Sequence, residues 1–303
     1  MRTLKPMANQ FIGCDRPYGE ADTVLFGAPY DSTTSFRPGT RFGPAAMRME
    51  SFGIETYSPL QDRDLADDAK VFDSGDLELP FGAPEPALAM IEERADGILA
   101  DGKRPFLLGG EHLVTLGAFR AVRRRYPDVV VIHFDAHADL REDYLGNPLS
   151  HACVLRRCHD LVGDRRIFQF GIRSGTREEF AFMREGHVTS EPFSDTTLES
   201  VVRSLSRKAR GTGRRPPVYL TIDMDVLDPS EFPGTGTQEA GGFGYSRLVA
   251  DMRLICGKLN VVAMDNVELN PGLDPSGRST ALACKFLREC LLALSMKKEV
   301  SAK

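Results

Sequence analysis

Residues 129–140 read VVVIHFDAHADL, and this stretch decides the fold. Val129, Val130, Val131 and Ile132 run without a polar interruption, the pattern of a strand buried on both faces of a parallel sheet. Asp135, His137 and Asp139 follow at alternate positions, so in a chain that stays extended they all point to one side. That is the outline of a metal-ligand cluster.

Two further stretches repeat the design. Residues 218–225 (VYLTIDMD) end an apolar run in Asp223 and Asp225, and residues 105–112 (PFLLGGEH) end one in two glycines, Glu111 and His112. The glycines are expected to let the backbone turn sharply. Each motif alone has an ordinary reading: DAHAD as a solvated loop, DMD as a cap for the next helix, GGEH as a turn. Their joint occurrence, each after an apolar run, points to one shared site, because open α/β sheets bind ligands outside the carboxyl ends of their strands.

Working outward, strands are expected at 22–27, 70–73, 105–108, 166–171, 218–223 and 260–266, with an eighth near His187. Helices are expected after Gly43-Pro44 and over 86–99, 115–125, 246–256 and 279–295, and another capped by Asp195 and carrying Leu198, Val201, Val202 and Leu205. Residues 208–215 read as a basic, glycine-containing connector. Strands alternating with helices along the whole chain predict a mostly parallel α/β sheet of about eight strands covered on both faces. A single domain over 1–303 is expected.

With 303 residues and 42% hydrophobic content the chain can bury a large core. A net charge of -5 and a pI near 5.8 give no electrostatic reason for a nucleic-acid or anionic-membrane partner. The six cysteines form no C-x-x-C pair, so a reduced, cytoplasmic compartment is the expectation. The amino-terminal residues contain no apolar targeting run.

Asp and His together suit borderline divalent ions. His112, Asp135, His137, Asp139, Asp223 and Asp225 are too many ligands for one tetrahedral ion. Two ions roughly 3.5 to 4 Å apart would use all six and activate a water between them, and so many carboxylates favour manganese over zinc. His133, inside its strand, is expected to pack or to support the site, and His159 and His187 have no adjacent acidic pattern.

GAPYDSTTSFRPGTRFGPAAMR near the start, GGEH, DAHADL, Ser150-His151, TIDMDVLDP with GTGTQEAGG, and MDNVELNP near the end resemble in order and spacing the motifs of the ureohydrolases, the arginase and agmatinase family. The resemblance covers nearly the whole chain. It implies a three-layer α/β/α fold with two Mn²⁺ ions, one held by His112, Asp135, Asp139 and Asp223, the other by His137, Asp135, Asp223 and Asp225. It also implies catalytic roles for His151 as proton shuttle, Glu268 as guanidinium-binding carboxylate and Asp139 beside the metals. The partner implied is a small guanidino substrate, cleaved to urea and an amine, and the assembly a homo-oligomer, trimer or hexamer.

Substrate choice rests on loops. Ser174 and Thr176 stand where the arginine-cleaving branch has an acidic pair, whereas SHACVLRR, GIRSGTREE and PGTRFGPAAMR look more like agmatinases, which release putrescine for polyamine synthesis. Glu142, Asp143 or Glu178 would meet a cationic tail; Arg141 or Arg177 would meet a carboxylate. Gln238 and Ala240 replace usual prolines and Leu113 a usual serine, all in loops around the pocket. Agmatine is the expected substrate, with guanidinobutyrate, guanidinopropionate and formiminoglutamate as alternatives. A deacetylase-like amide hydrolase would require adjacent histidines, which the chain lacks. A non-catalytic metal-binding protein would have no use for His151 and Glu268.

Overall fold

The computed structural model describes residues 10–190, 197–212 and 215–295. One sheet runs through it, with strands β1 (Thr23–Ala28), β2 (Val71–Asp76), β3 (Arg104–Gly109), β4 (Val130–Phe134), β5 (Ile167–Phe170), β6 (Thr189–Ser190), β7 (Pro217–Asp223) and β8 (Asn260–Val267). They lie in the order β2-β1-β3-β8-β7-β4-β5-β6 and every pairing is parallel. Helices α1 (Gly43–Glu50), α2 (Pro84–Ala100), α3 (Val114–Arg125), α4 (Val154–Val162), α5 (Arg177–Arg184), α6 (Leu198–Thr212), α7 (Tyr245–Lys258) and α8 (Arg278–Leu294) cover both faces. The architecture is the three-layer α/β/α sandwich that the motif resemblance implied.

Side-chain alternation builds two cores from one sheet. Val130, Ile132 and Phe134 pack with Leu220, Ile222 and residues of α6, α7 and α8. Val129 and Val131 face the other way, joining Tyr219, Leu107 and the apolar stripes of α2, α3 and α4. The uninterrupted β-branched run is thus explained: each alternate residue has a core of its own.

The strand order is what gathers the site. The first half of the chain lays β1, β2 and β3 to one side and the middle lays β4, β5 and β6 to the other. Strands β7 and β8, last in sequence, fill the gap, so β3, β8, β7 and β4 lie side by side. Their carboxyl ends carry His112, Glu268, Asp223 with Asp225, and the Asp135 to Asp139 group.

Several local expectations are revised. Helix α6 continues to Thr212, through much of the stretch read as a connector, since arginine, lysine and alanine are good helix formers. Asp195, the expected cap, lies outside the described residues. A short antiparallel ribbon, Tyr57–Ser58 with Arg63–Asp64, was not anticipated. The glycines of GGEH also serve a different purpose. Neither has a positive φ; a Cβ on Gly109 would lie 2.5 Å from Val267 Cγ1, and one on Gly110 only 2.0 Å from the Tyr30 carbonyl oxygen. They permit close approach rather than a turn.

Among the described residues no helix is long and apolar enough to cross a membrane. All six cysteines are buried, and no disulfide links any two of them.

Two glycine replacements separate these cases. Gly110→Ala is expected to destabilise by about 1–3 kcal/mol, because the obstructing atoms belong to backbone. Gly97→Ala, at an open position of α2 where a Cβ meets nothing within 4 Å, should stabilise by about 0.4–1 kcal/mol. Urea-denaturation midpoints moving in opposite directions would bear this out; a Gly110→Ala midpoint at or above wild type would contradict it.

Candidate metal centre

The six predicted ligands converge. His112 Nδ1 lies 3.1 Å from Asp135 Oδ2, 3.0 Å from Asp139 Oδ2 and 3.4 Å from Asp223 Oδ2. The ring is fully buried, its Nε2 is 2.9 Å from Thr221 Oγ1, and Nδ1 has no well-aligned hydrogen-bond partner among the described residues. On the other side, His137 Nδ1 is 2.9 Å from Asp225 Oδ2 and 3.5 Å from Asp135 Oδ1, and Asp225 Oδ2 is likewise buried without a hydrogen bond. A nitrogen facing three oxygens about 3 Å away, unable to share a proton well with any, surrounds a point where a cation fits. Borderline divalent ions match this donor chemistry.

Electrostatics supports that reading. Burial and the charges of Asp225 and Asp135 push Asp223 well above the usual carboxylate range. Burial raises Asp225 as well, against the pull of His137. Burial also opposes the charge on Asp135, but His133, His112 and His137 outweigh it and hold its pKa well below normal. So many buried carboxylates can all stay ionised only beside compensating positive charge.

His133 proves to support the site. Gln169 donates through Nε2 to His133 Nδ1 at 3.1 Å and to the Ala138 carbonyl at 2.8 Å. The amide therefore leaves the ring proton on Nε2, which donates to Asp135 Oδ2 at 2.8 Å. The chain Gln169, His133, Asp135 fixes both the orientation and the charge of this carboxylate.

Two site residues have left-handed backbones. Asp139 has φ +53° and Glu268 +67°, a conformation that non-glycine residues adopt only when their surroundings enforce it. The Asp139 carbonyl accepts from Leu155 N at 3.0 Å and Arg156 N at 3.1 Å, in the first turn of α4. Leu140 N donates to buried Glu179 at 2.8 Å. Glu268 N donates to the Gly110 carbonyl at 2.9 Å, and Glu268 Oε1 accepts from His112 N at 2.8 Å.

His151 opens a short 3₁₀ turn before α4, and its Nδ1 is 3.4 Å from Glu268 Oε1. Burial disfavours the imidazolium, but the Glu268 carboxylate overcomes this and raises the pKa to about 9. Ser35 N donates to Nε2 at 3.0 Å, which only an unprotonated nitrogen can accept. That bond belongs to the neutral form of the ring, in which the proton sits on Nδ1 against Glu268, the same carboxylate that favours the charged form.

Glu111, Ser35 and Arg173 were given no role from sequence. Glu111 accepts from Thr33 Oγ1 at 2.5 Å, Thr33 N at 2.9 Å and Thr34 Oγ1 at 3.0 Å. Thr33 Oγ1 in turn accepts from His151 N at 3.0 Å. Burial brings Glu111 up to about 7. Arg173 donates to the carbonyls of Asp225 at 2.9 Å and Glu239 at 2.8 Å, clamping the loop after β7. All three stood inside quoted motifs, GGEH, GAPYDSTTSFRPGTRFGPAAMR and GIRSGTREE, but nothing in their spacing announced their partners.

A cavity of about 230 Å³ opens over the cluster, lined by His137, Asp139, Asp223, His151 and Glu268, with Arg141, Tyr144, Ser174 and Thr237 among its walls. The acidic tail-binding candidates lie elsewhere. Glu142, Asp143 and Glu178 line a neighbouring groove, Glu142 is paired with Arg156 at 2.7 Å and Arg157 at 3.3 Å, and Asp143 accepts from Gly146 N at 2.8 Å. Arg177 is not in the cavity wall either.

Fold and site together define an α/β/α protein whose strand ends carry an imidazole and carboxylate cluster suited to divalent cations. The arginase family profile matches residues 21–293. The chain is 47% identical to the agmatinase of Bacillus subtilis over 93% of its own length and 95% of that protein's. It is 34% identical to the guanidinobutyrase of Pseudomonas aeruginosa over 90% and 86%. A provisionally named agmatinase from Clostridium difficile, known as a crystal structure, matches with a TM-score of 0.85 at 47% identity, covering 92% of this chain and 99% of that one. This chain belongs to the arginase family, the ureohydrolases whose motifs its sequence carries.

Glu111→Ala should leave divalent-metal content at the wild-type level while lowering kcat for guanidine cleavage about 10- to 100-fold, since it removes the anchor of the loop that holds His151. Elemental analysis paired with a urea assay measures both. A kcat within twofold of wild type would detach Glu111 from the site.

Proposed function

We propose that the protein hydrolyses agmatine to putrescine and urea at this centre, with two manganese ions as cofactor. The observation that carries the reading is the convergence of all six candidate ligands beside one cavity, with His137, Asp139 and Asp223 in its wall together with Glu268 and His151. His112, Asp135, Asp139 and Asp223 would hold one ion, and His137, Asp135, Asp223 and Asp225 the other; four carboxylates with two imidazoles favour manganese over zinc. When bound, the pair would lower the pKa of a water to make it nucleophilic near neutral pH.

The protein's own groups do the rest. Glu268 faces the cavity with a carboxylate suited to paired N–H donors, which fixes the plane of a guanidinium group. Its left-handed backbone and the bond from His112 N hold it there, so the guanidino carbon is presented in one orientation. Water adds to that carbon, the bond to the alkyl-bearing nitrogen breaks, and the departing amine needs a proton. His151 carries one on Nδ1, beside Glu268, and is placed to supply it. Ser35 keeps the ring from turning away.

The agmatinase relatives at nearly half identity favour agmatine. Arg141, in the cavity wall, favours a second reading, a substrate with a carboxylate tail such as guanidinobutyrate. Its Nε is 3.6 Å from buried Glu179 and its guanidinium lies 5.2 Å from the Tyr144 ring centre, so it is largely engaged already. Assembly into a trimer or hexamer belongs to the same family-based reading.

Urea released from agmatine, guanidinobutyrate and arginine by manganese-loaded protein tests this. The highest kcat/KM is expected with agmatine, and a preference for guanidinobutyrate that Arg141→Ala abolishes would establish the second reading instead. His151→Asn is expected to lower kcat about 10²- to 10⁴-fold, and Glu268→Gln to raise KM as well as lower kcat. No urea from any guanidine would remove the proposal.

A further inference from the structure

His159, Asp164 and His187 have no sequence pattern in common, yet they meet at the opposite edge of the sheet. His159 lies in the last turn of α4, Asp164 in the turn leading to β5, and His187 just before β6, so the three gather at the amino ends of β5 and β6, whereas the metal-ligand cluster lies at the carboxyl ends of β3, β8, β7 and β4. His159 Nε2 is 2.9 Å and His187 Nδ1 2.8 Å from the same oxygen, Asp164 Oδ1. The three donor atoms lie within 4.8 Å of one another.

We propose that these residues form a second, separate cation site, one that takes a borderline divalent transition ion, with zinc as the best match. Two imidazoles and one carboxylate suit such ions and leave further positions for water. Asp164 is more than half exposed and His187 one-third exposed, so an ion can reach them.

The ligands are held in place. Glu185 Oε2 lies 3.5 Å from His187 Nε2, where a carboxylate steadies the proton on one ring nitrogen while the other coordinates. The Phe182 ring stacks on His187 at 4.3 Å between centres and meets His159 edge-on at 4.9 Å, restricting both imidazoles. Gly163 and Arg165, either side of Asp164, both have positive φ, and Arg165 N donates to the His187 carbonyl at 2.9 Å. The turn is thereby fixed against the strand that His187 precedes.

The competing arrangement is a purely hydrogen-bonded triad, with both imidazoles donating to Asp164. Metal stoichiometry distinguishes the two. Chelator-stripped protein would be equilibrated with Zn²⁺, desalted and analysed for zinc, comparing wild type with His159→Ala/His187→Ala and with Asp164→Asn. The expected result is one zinc per chain more in the wild type than in either variant, with urea release by the manganese-loaded variants unchanged. Added zinc should also raise the Tm of the wild type more than that of Asp164→Asn. Equal zinc in all three proteins overturns the proposal. Asp164→Asn, an isosteric change at an exposed position, keeps the comparison valid if the double variant does not fold.

Discussion

Like charge crowded out of water is the constraint on which the rest of this molecule depends. Asp135, Asp139, Asp223 and Asp225 are all buried, and among the described residues they are paired with the imidazoles of His112, His133 and His137 rather than with a lysine or arginine. Such a group is unfavourable unless cations enter it or protons neutralise it. The surrounding structure makes the first solution available by holding the oxygens where they can surround an ion. The Gln169 to His133 chain, the Arg173 clamp and the α4 amino terminus under the Asp139 carbonyl all serve this purpose.

The cost of that arrangement is spread over the fold. Four parallel strands must end together, which requires β7 and β8 to slot between halves of the sheet laid down earlier. Gly109 and Gly110 must give up side chains so that β3, β8 and the Tyr30 backbone can close up. Asp139 and Glu268 must adopt strained backbones, each stabilised by hydrogen bonds from a neighbouring element.

The sheet and the clustering of the six candidate ligands were legible because a doubly buried parallel strand writes itself as an unbroken apolar run, and its end is marked by the first charges. Asp135 and Asp223 stand directly after such runs, and His137, Asp139, Asp225 and His112 follow within a few residues of one. His151 and Glu268 have no such marker, and motif resemblance alone singled them out. Glu142, Asp143 and Glu178 look like plausible tail partners in sequence, but ion pairs and turns that depend on how α4 packs direct them to another groove. The meeting of His159, Asp164 and His187 was invisible for the same reason: it is made by the pairing of β5 with β6.

The centre is also asymmetric, and this bears on how a substrate reaches it. His112 is completely buried and Asp135 is held by His133 on its inner side, whereas the His137 side chain is 23% exposed and Asp139 and Asp223 line the cavity. The inner half is therefore braced by protein and the outer half open to exchange. Glu268 and His151 stand on that open side, linked to the inner half through His112 N. A molecule entering the cavity meets one wall formed by His137, Asp139, Asp223, His151 and Glu268, so among the described residues it approaches the cluster from the half that is not braced by His133 and Gln169.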